Sequence, residues 1–380
     1  MIDPSHSSAA AESGVSGLRR FARHLSLPEF GAAGQEKLRR SRILCIGAGG
    51  LGSPVLMYLA AAGAGNIRIV DDDTVDLTNL QRQLLFTDSD IGKPKAEAAA
   101  ARLRIIYPDI QVGARRERFL AANALALAEG CDLIIDGSDN FSTRYVSNDT
   151  AVLLRIPNVY GSIFRYEGQA TVFAPALGGP CYRCLFPVPP APGSVPSCAE
   201  GGVLGVLPGL IGMIQATEAI KLLTGIGEPL TGRMVHVDTR SMQFRELRLR
   251  RDPACPVCGD HPTITAPADI DFSCDLPAPH KQVDSINAEE FAGILTAPPD
   301  GVCILDVREA WEHLLTPWPH ATLVIPFADL PARLSEVPAD AKEIIVVCTV
   351  GERSADAVRL LTQHNHTAVR HLKGGLRDVS

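Results

Sequence analysis

No stretch of this 380-residue sequence is long enough and apolar enough to span a bilayer. The best candidate, 203–214, runs into Gln215 and Glu218, which fits a buried helix. Excess positive charge is missing too. The 36 Lys and Arg face 43 Asp and Glu for a net charge of −7, which argues against the concentrated basic face of a nucleic-acid binder. The opening MIDPSHSSAAAESG lacks the charged-then-apolar order of an export signal, so a cytoplasmic protein is expected, without membrane or nucleic-acid partner. No internal repeat recurs at a fixed period, and the ten histidines form no spaced metal cluster. With 46 % apolar and 21 % charged residues, the chain is neither disordered nor fibrous. What it does hold is ten cysteines. That density is too low for a disulfide scaffold, so the thiols are expected to be reduced and divided between metal ligation, catalysis and core filling.

The length predicts two or three domains, and the pattern resolves them as two. Residues 1–17, rich in Ser, Ala and Gly, read as a flexible tail. From 18 to 261 short apolar runs (42–47, 66–71, 132–136) alternate with helical segments, which predicts an α/β fold with a doubly wound, mainly parallel sheet. A helix is expected over 53–62, with Ser53 as cap and Pro54 at its first position. A Pro- and Ala-rich linker occupies 262–284. In 285–380, Asn287-Ala-Glu-Glu290 reads as a capping box, and 302–306 and 343–348 read as buried strands of a small α/β domain.

Between a predicted strand and a predicted helix stands Gly47-Ala-Gly49-Gly50-Leu-Gly52, a turn able to aim backbone N–H groups at phosphate. Asp71 follows at the end of the next strand, where a carboxylate meets ribose hydroxyls. Those residues alone equally describe a nicotinamide or flavin enzyme, or a purely structural turn. The next segment, Asp71-Asp-Asp-Thr-Val-Asp-Leu-Thr78-Asn79-Leu-Gln81-Arg82-Gln83, adds carboxylates, amides and a guanidinium, and Lys95 follows in Gly-Lys-Pro-Lys. A triphosphate needs such cations, whereas a hydride-transfer site does not. Asp136-Gly-Ser-Asp139-Asn140 supplies another acidic loop after a strand, suited to magnesium. Each charge taken singly reads as a solvated surface residue. Their recurrence at strand ends is what points to a site.

In combination, GAGGLG, DDDTVDLTNLQRQ, GKPK and DGSDN resemble the MoeB/ThiF family, adenylating enzymes related to ubiquitin-activating enzymes, over about 20–260. The resemblance implies ATP- and magnesium-dependent activation of the C-terminal Gly-Gly carboxylate of a ubiquitin-like sulfur-carrier protein as an acyl-adenylate. By motif position it implies Gly50 against ATP, Asp71 on ribose, and Asn79, Gln81, Arg82 and Lys95 on the phosphates. Asp139 would hold magnesium, with Asn140 adjoining it. Arg23, in Phe-Ala-Arg-His-Leu, matches an arginine that reaches the partner subunit's ATP, which implies a homodimer.

Cys181-Tyr-Arg-Cys184 and Cys255-Pro-Val-Cys258 form two C-x-x-C knuckles, able to close one tetrahedral zinc site. Neither sits after the first strand of a thioredoxin-like unit, as a redox pair would. Cys198 lies in a Pro/Gly-rich loop. It reads either as a spare surface thiol or, by resemblance to two-domain relatives, as a partner in covalent handling of the carrier, through a thioester or a disulfide. Cys45, Cys131 and Cys303 read as packing residues, and Cys274 falls in the linker without a role.

Cys348 ends a strand and opens Cys-Thr-Val-Gly-Glu-Arg-Ser-Ala ahead of a helix, where N–H groups stabilise a thiolate or persulfide. The alternative is a buried strand-end thiol. This half resembles a rhodanese sulfurtransferase, with Leu305-Asp306-Val-Arg308-Glu309 opening it and Lys373-Gly-Gly-Leu closing it, and with Asp306 and Arg308 as framework residues. Thr349 stands where many rhodaneses carry arginine, which favours a cysteine desulfurase persulfide over thiosulfate as donor. The module is expected to be short at its C-terminal end. The two resemblances imply an enzyme that adenylates a carrier and converts its carboxylate to a thiocarboxylate with sulfur from Cys348. An adenylating scaffold with a degenerate rhodanese half is the alternative. Molybdopterin, thiolated tRNA, cysteine and sulfur-containing natural products all remain open as destinations.

Overall fold

The computed structural model describes residues 19–189, 202–270 and 283–379. Its contacts divide the chain into two compact units, which meet in sequence at Cys274 and Asp275.

The first unit begins with α1 (Ala22–Leu25) and α2 (Gly31–Arg40), followed by β1 (Arg42–Ile46), α3 (Gly52–Ala62) and β2 (Asn66–Val70). There follow α4 (Lys95–Ile106), β3 (Gln111–Arg115), α5 (Ala121–Ala128), β4 (Leu133–Asp136) and α6 (Phe141–Leu154). Strands β1 to β4 are joined by helices, so they pair in parallel, and β5 (Asn158–Phe164) adds to β4 in the same sense. The sheet then continues antiparallel through β6 (Glu167–Phe173), β7 (Arg233–Asp238) and β8 (Gln243–Arg248), in the order β3-β2-β1-β4-β5-β6-β7-β8. Between β6 and β7 come α7 (Tyr182–Leu185) and α8 (Leu207–Thr224).

The central strands are apolar throughout because helices cover both sheet faces. Ile43 and Cys45 enter one core cluster and Leu44 and Ile46 the other. Each fully buried Ile or Leu contributes about 1.5–3 kcal/mol relative to exposure. α8 packs on α3 and on the sheet. It starts at Leu207 and buries Gln215 and Glu218, each of which finds a backbone partner. Gln215 Nε2 donates to the Asp136 carbonyl at 2.9 Å, and Glu218 Oε2 accepts from the Leu230 amide at 2.7 Å. Among the described residues no helix is long and apolar enough to cross a membrane.

One helix start differs from the sequence expectation. α3 begins at Gly52 with Leu51 as its cap residue, so Ser53 lies inside the helix and caps nothing. The glycine-rich turn already curls helically at Leu51 (φ −75°, ψ −44°), and the Ser53 amide donates to the Gly49 carbonyl at 2.9 Å. That bond supplies what a capping side chain would otherwise have to supply.

The second unit contains β9 (Ser285–Ile286), α9 (Ala288–Thr296), β10 (Val302–Asp306), α10 (Ala310–Leu315), β11 (Leu323–Val324), β12 (Glu343–Val347), α11 (Glu352–Gln363) and β13 (Val369–Leu372). All five strands are parallel, in the order β11-β10-β12-β13-β9. Asn287 caps α9, accepting from the Glu290 amide at 2.8 Å.

Candidate functional site

The strand order reverses direction between β1 and β4, and this switch point opens a crevice beyond the carboxyl ends of the strands. A cavity of about 420 Å³ lies there. Its floor includes Gly47, Gly49 and Gly50 from the turn after β1. Gly52 lines no part of it, yet the turn depends on this residue. A Cβ at Gly52 would lie 2.1 Å from the Gly47 carbonyl oxygen, so any side chain would force the turn open.

Asp71 lies at the end of β2, and its carboxylate accepts from the Ala48 amide at 2.8 Å and the Asp73 amide at 2.9 Å. It therefore ties the glycine-rich turn to the neighbouring strand. Burial raises its pKa, against the pull of those two amides. Lys95 opens α4 and is buried; its Nζ donates to Asp73 Oδ2 at 2.9 Å. Arg82 reaches the cavity with Nη1 donating to the Thr78 carbonyl at 2.9 Å. Asp139 and Asn140 line the wall after β4, and Asn140 caps α6 by accepting from the Thr143 amide at 2.9 Å.

Besides Gly52, four residues singled out in the sequence do not line the cavity. Thr78 and Asn79 build the short turn that carries Arg82. The Thr78 hydroxyl donates to Asp76 at 2.6 Å, and Asn79 Oδ1 accepts from the Asp76 amide at 3.3 Å. Gln81 is exposed and abuts Gly205, and Arg23 is exposed on α1.

The sequence reading gave no role to Arg144, which also lines the cavity. It lies in the first turn of α6, with its guanidinium 5.2 Å from the Phe141 ring centre and 5.6 Å from that of Tyr160. Its Nε is buried without a hydrogen-bond partner among the described residues. Burial opposes its charge, but Tyr160, Tyr182 and Asp136 outweigh burial and raise the pKa. Gln83, inside a motif already noted, lines the cavity with Oε1 equally unpartnered.

The four cysteines of the two knuckles converge, with all Sγ atoms within 4.8 Å of one another. The contacts Cys181–Cys184, Cys181–Cys255 and Cys184–Cys258 measure 3.8, 3.5 and 3.4 Å. Four thiolates about 2.3 Å from one zinc ion would stand about 3.8 Å apart, so the set fits a closed tetrahedral site. Beside it, Arg183 donates from Nε and Nη2 to the buried carboxylate of Asp149, both at 2.8 Å, and the Tyr182 amide donates to Asn148 Oδ1 at 2.7 Å. These bonds fasten the first knuckle to α6, the helix that begins at the Asp139–Asn140 loop.

In the second unit Cys348 follows β12 and is buried. Its Sγ accepts from the Gly351 amide at 3.1 Å, and the Ser354 hydroxyl lies 3.5 Å away. Gly351 holds φ +94°, a conformation side chains disfavour, and this turns its N–H toward the sulfur just ahead of α11. Asp306 and Arg308, both buried, pair at 2.8 Å. Cys45 and Cys303 are core residues and Cys131 is half-buried. Cys198 and Cys274 lie outside the described residues.

A nucleotide-sized crevice carrying cations at a sheet switch point, on a chain that also presents a thiol at a helix N-terminus, defines an enzyme of the adenylyltransferase–sulfurtransferase class. Residues 21–257 match the family model of the ThiF family, and 287–380 that of the rhodanese-like domain. The chain belongs to the ThiF family and continues into a rhodanese-like domain. It is 41 % identical to the probable adenylyltransferase/sulfurtransferase MoeZ of Mycobacterium tuberculosis, over 94 % of this chain and 91 % of that protein. With the adenylyltransferase and sulfurtransferase MOCS3 of Anopheles gambiae it shares 40 % identity over 94 % and 86 % of the two chains. The sulfur carrier protein adenylyltransferase of Thermus thermophilus is 50 % identical over 68 % of this chain and 97 % of its own. The crystal structure of E. coli MccB with MccA-N7isoASN shares the fold, at a TM-score of 0.57 and 23 % identity over 63 % of this chain and 75 % of that one.

Proposed function

We propose that the first unit activates the C-terminal Gly-Gly carboxylate of a ubiquitin-like sulfur-carrier protein as an acyl-adenylate, and that the second supplies sulfur to it from Cys348. The observation that carries this reading is the convergence of Gly50, Asp71, Arg82, Lys95 and Asp139 on one cavity. A carboxylate approaching the α-phosphate of ATP meets like charge, so the reaction needs cations around the phosphates. Arg82 and Lys95 supply two, and Thr78 and Asn79 hold the turn that carries Arg82. Asp71 takes the ribose, and the backbone N–H groups of the glycine-rich turn face phosphate. Asp139, exposed at the cavity wall, is the residue suited to hold magnesium, with Asn140 beside it. Magnesium there would neutralise phosphate charge and stabilise departing pyrophosphate. A second copy of the chain in a cytoplasmic homodimer would bring Arg23 to this site.

The carrier carboxylate attacks the α-phosphorus and pyrophosphate leaves. The Cys348 persulfide then attacks the acyl carbon and AMP leaves, giving a carrier–S–S–Cys348 acyl disulfide. A thiol, for which Cys198 is the candidate, attacks the Cys348 sulfur. The carrier departs as a thiocarboxylate and a Cys198–Cys348 disulfide remains for an external reductant. The test is ATP–pyrophosphate exchange against a panel of Gly-Gly-ended carrier proteins. Exchange with at least one carrier is expected, and exchange with none would overturn the reading.

The four-cysteine cluster is proposed to hold one structural zinc ion. Replacing Cys258 by serine, or chelation, is expected to lower the melting temperature of the first unit by about 5 °C or more, and to weaken exchange only as far as that unit unfolds. Metal analysis should return one zinc per chain. Full stability of the metal-free protein would count against a structural role.

A further inference from the structure

The loop from Cys348 to α11 carries one cationic side chain, Arg353, in the first turn of that helix. A cation there is the natural holder of an anionic sulfur donor. Here it is already engaged. Arg353 Nη1 donates to Glu312 Oε2 at 2.6 Å and Nη2 to Glu312 Oε1 at 2.7 Å. The Thr349 hydroxyl donates to the same Oε1 at 2.5 Å, so one carboxylate clasps both ends of the loop. Glu312 is itself anchored, its Oε2 accepting from the Glu309 amide at 2.8 Å. The pair is sheltered, with the side chains 21 % and 8 % exposed, so solvent screens it little. Burial works against the Glu312 charge, but Arg353, Thr349 and the Glu309 amide outweigh it and bring its pKa down to about 2. Arg353 also senses the Cys348 sulfur and the Glu309 carboxylate.

We propose that Glu312 is a specificity-determining residue of the sulfur-accepting site: by occupying Arg353 and Thr349 it disfavours thiosulfate and reserves Cys348 for a thiol-bound persulfide. The proposal rests on the reading of Cys348 as the sulfur acceptor. With thiosulfate, the Cys348 thiolate attacks the outer sulfur, the S–S bond breaks, and sulfite leaves as a dianion with the electron pair. Both the donor and the leaving group carry two negative charges, and the neutralised loop offers neither a cation. With a persulfide R–S–SH, the thiolate attacks the outer sulfur and R–S⁻ leaves. The outgoing charge is single, and the Gly351 amide already faces the sulfur that gains the persulfide.

The test uses the full chain and reads sulfur added to Cys348 by intact-mass spectrometry, with thiosulfate and glutathione persulfide as donors. In E312Q the ratio of thiosulfate to persulfide loading is expected to rise about tenfold or more, through a lower KM for thiosulfate, because a freed guanidinium gains a charge-assisted bond. The double variant E312Q/R353Q should lose that gain, which a merely structural role for Glu312 would not produce. An unchanged ratio in folded E312Q, or a gain that survives in the double variant, overturns the proposal. The wild-type chain provides a test that needs no substitution, since thiosulfate should load it about tenfold more slowly than the persulfide at equal concentration. Equal loading from both donors removes the role of Glu312 alone. No sulfur from either removes the Cys348 reading and this proposal with it.

Discussion

Asp139→Ala is expected to fold and to keep sulfur loading on Cys348, yet to lose carrier-dependent ATP–pyrophosphate exchange by about a hundredfold or more. Asp139 is exposed at the cavity wall and has no hydrogen-bonded role in the fold comparable to that of Asp136. Asp136 is buried and accepts from the Ser138 amide at 3.0 Å, the Ser138 hydroxyl at 2.6 Å and the Ser147 hydroxyl. The two acids of one short loop thus divide between framework and solvent-facing roles. Truncating Asp136 would break the loop, whereas truncating Asp139 removes charge from the cavity alone. Exchange should be measured beside thermal melting, so that unfolding is not read as lost chemistry. Retention of more than a few per cent of wild-type exchange by the folded variant would overturn the magnesium role.

Cys348→Ser is expected to give the reverse separation. Pyrophosphate exchange should persist, because the cavity belongs to the first unit, while thiocarboxylate formation falls to background. Serine keeps the acceptor toward the Gly351 amide and the packing of a buried position, so the fold of the second unit should survive. What is lost is sulfur as nucleophile and as carrier of a second sulfur atom. The measurement is the mass of the carrier after reaction with ATP and a sulfur donor, read as exchange of one oxygen for sulfur. Thiocarboxylate produced by the serine variant at the wild-type rate would leave the second unit as a scaffold.

The local patterns survived into the structure where chemistry is local. The strands around Ile43–Cys45 and Ile344–Val347 and the cap at Asn287 follow from apolar runs, turn residues and side-chain acceptors within a few positions. Ser53 shows where that logic fails, because the backbone of the preceding turn met the demand a cap would have met. Arg144 was passed over because its value lies in what surrounds it, Tyr160 and an open cavity wall, neither of which its sequence neighbours announce. Glu312 was invisible for the same reason, since its partners Thr349 and Arg353 lie on another part of the chain.

By itself the sequence determined the doubly wound class, the glycine-rich turn, the two cysteine knuckles and the thiol ahead of a helix. Each is written in spacing that backbone geometry reads directly. Tertiary structure alone decided which of these features meet. Distant segments close around one cavity after β1, β2 and β4, and two knuckles far apart in the chain bring four sulfur atoms within 4.8 Å of one another. It also decided that the cation beside Cys348 is held by Glu312. A charge found in a sequence is free or neutralised only once the fold has chosen its neighbour, because electrostatic interaction depends on distance and burial and not on order along the chain.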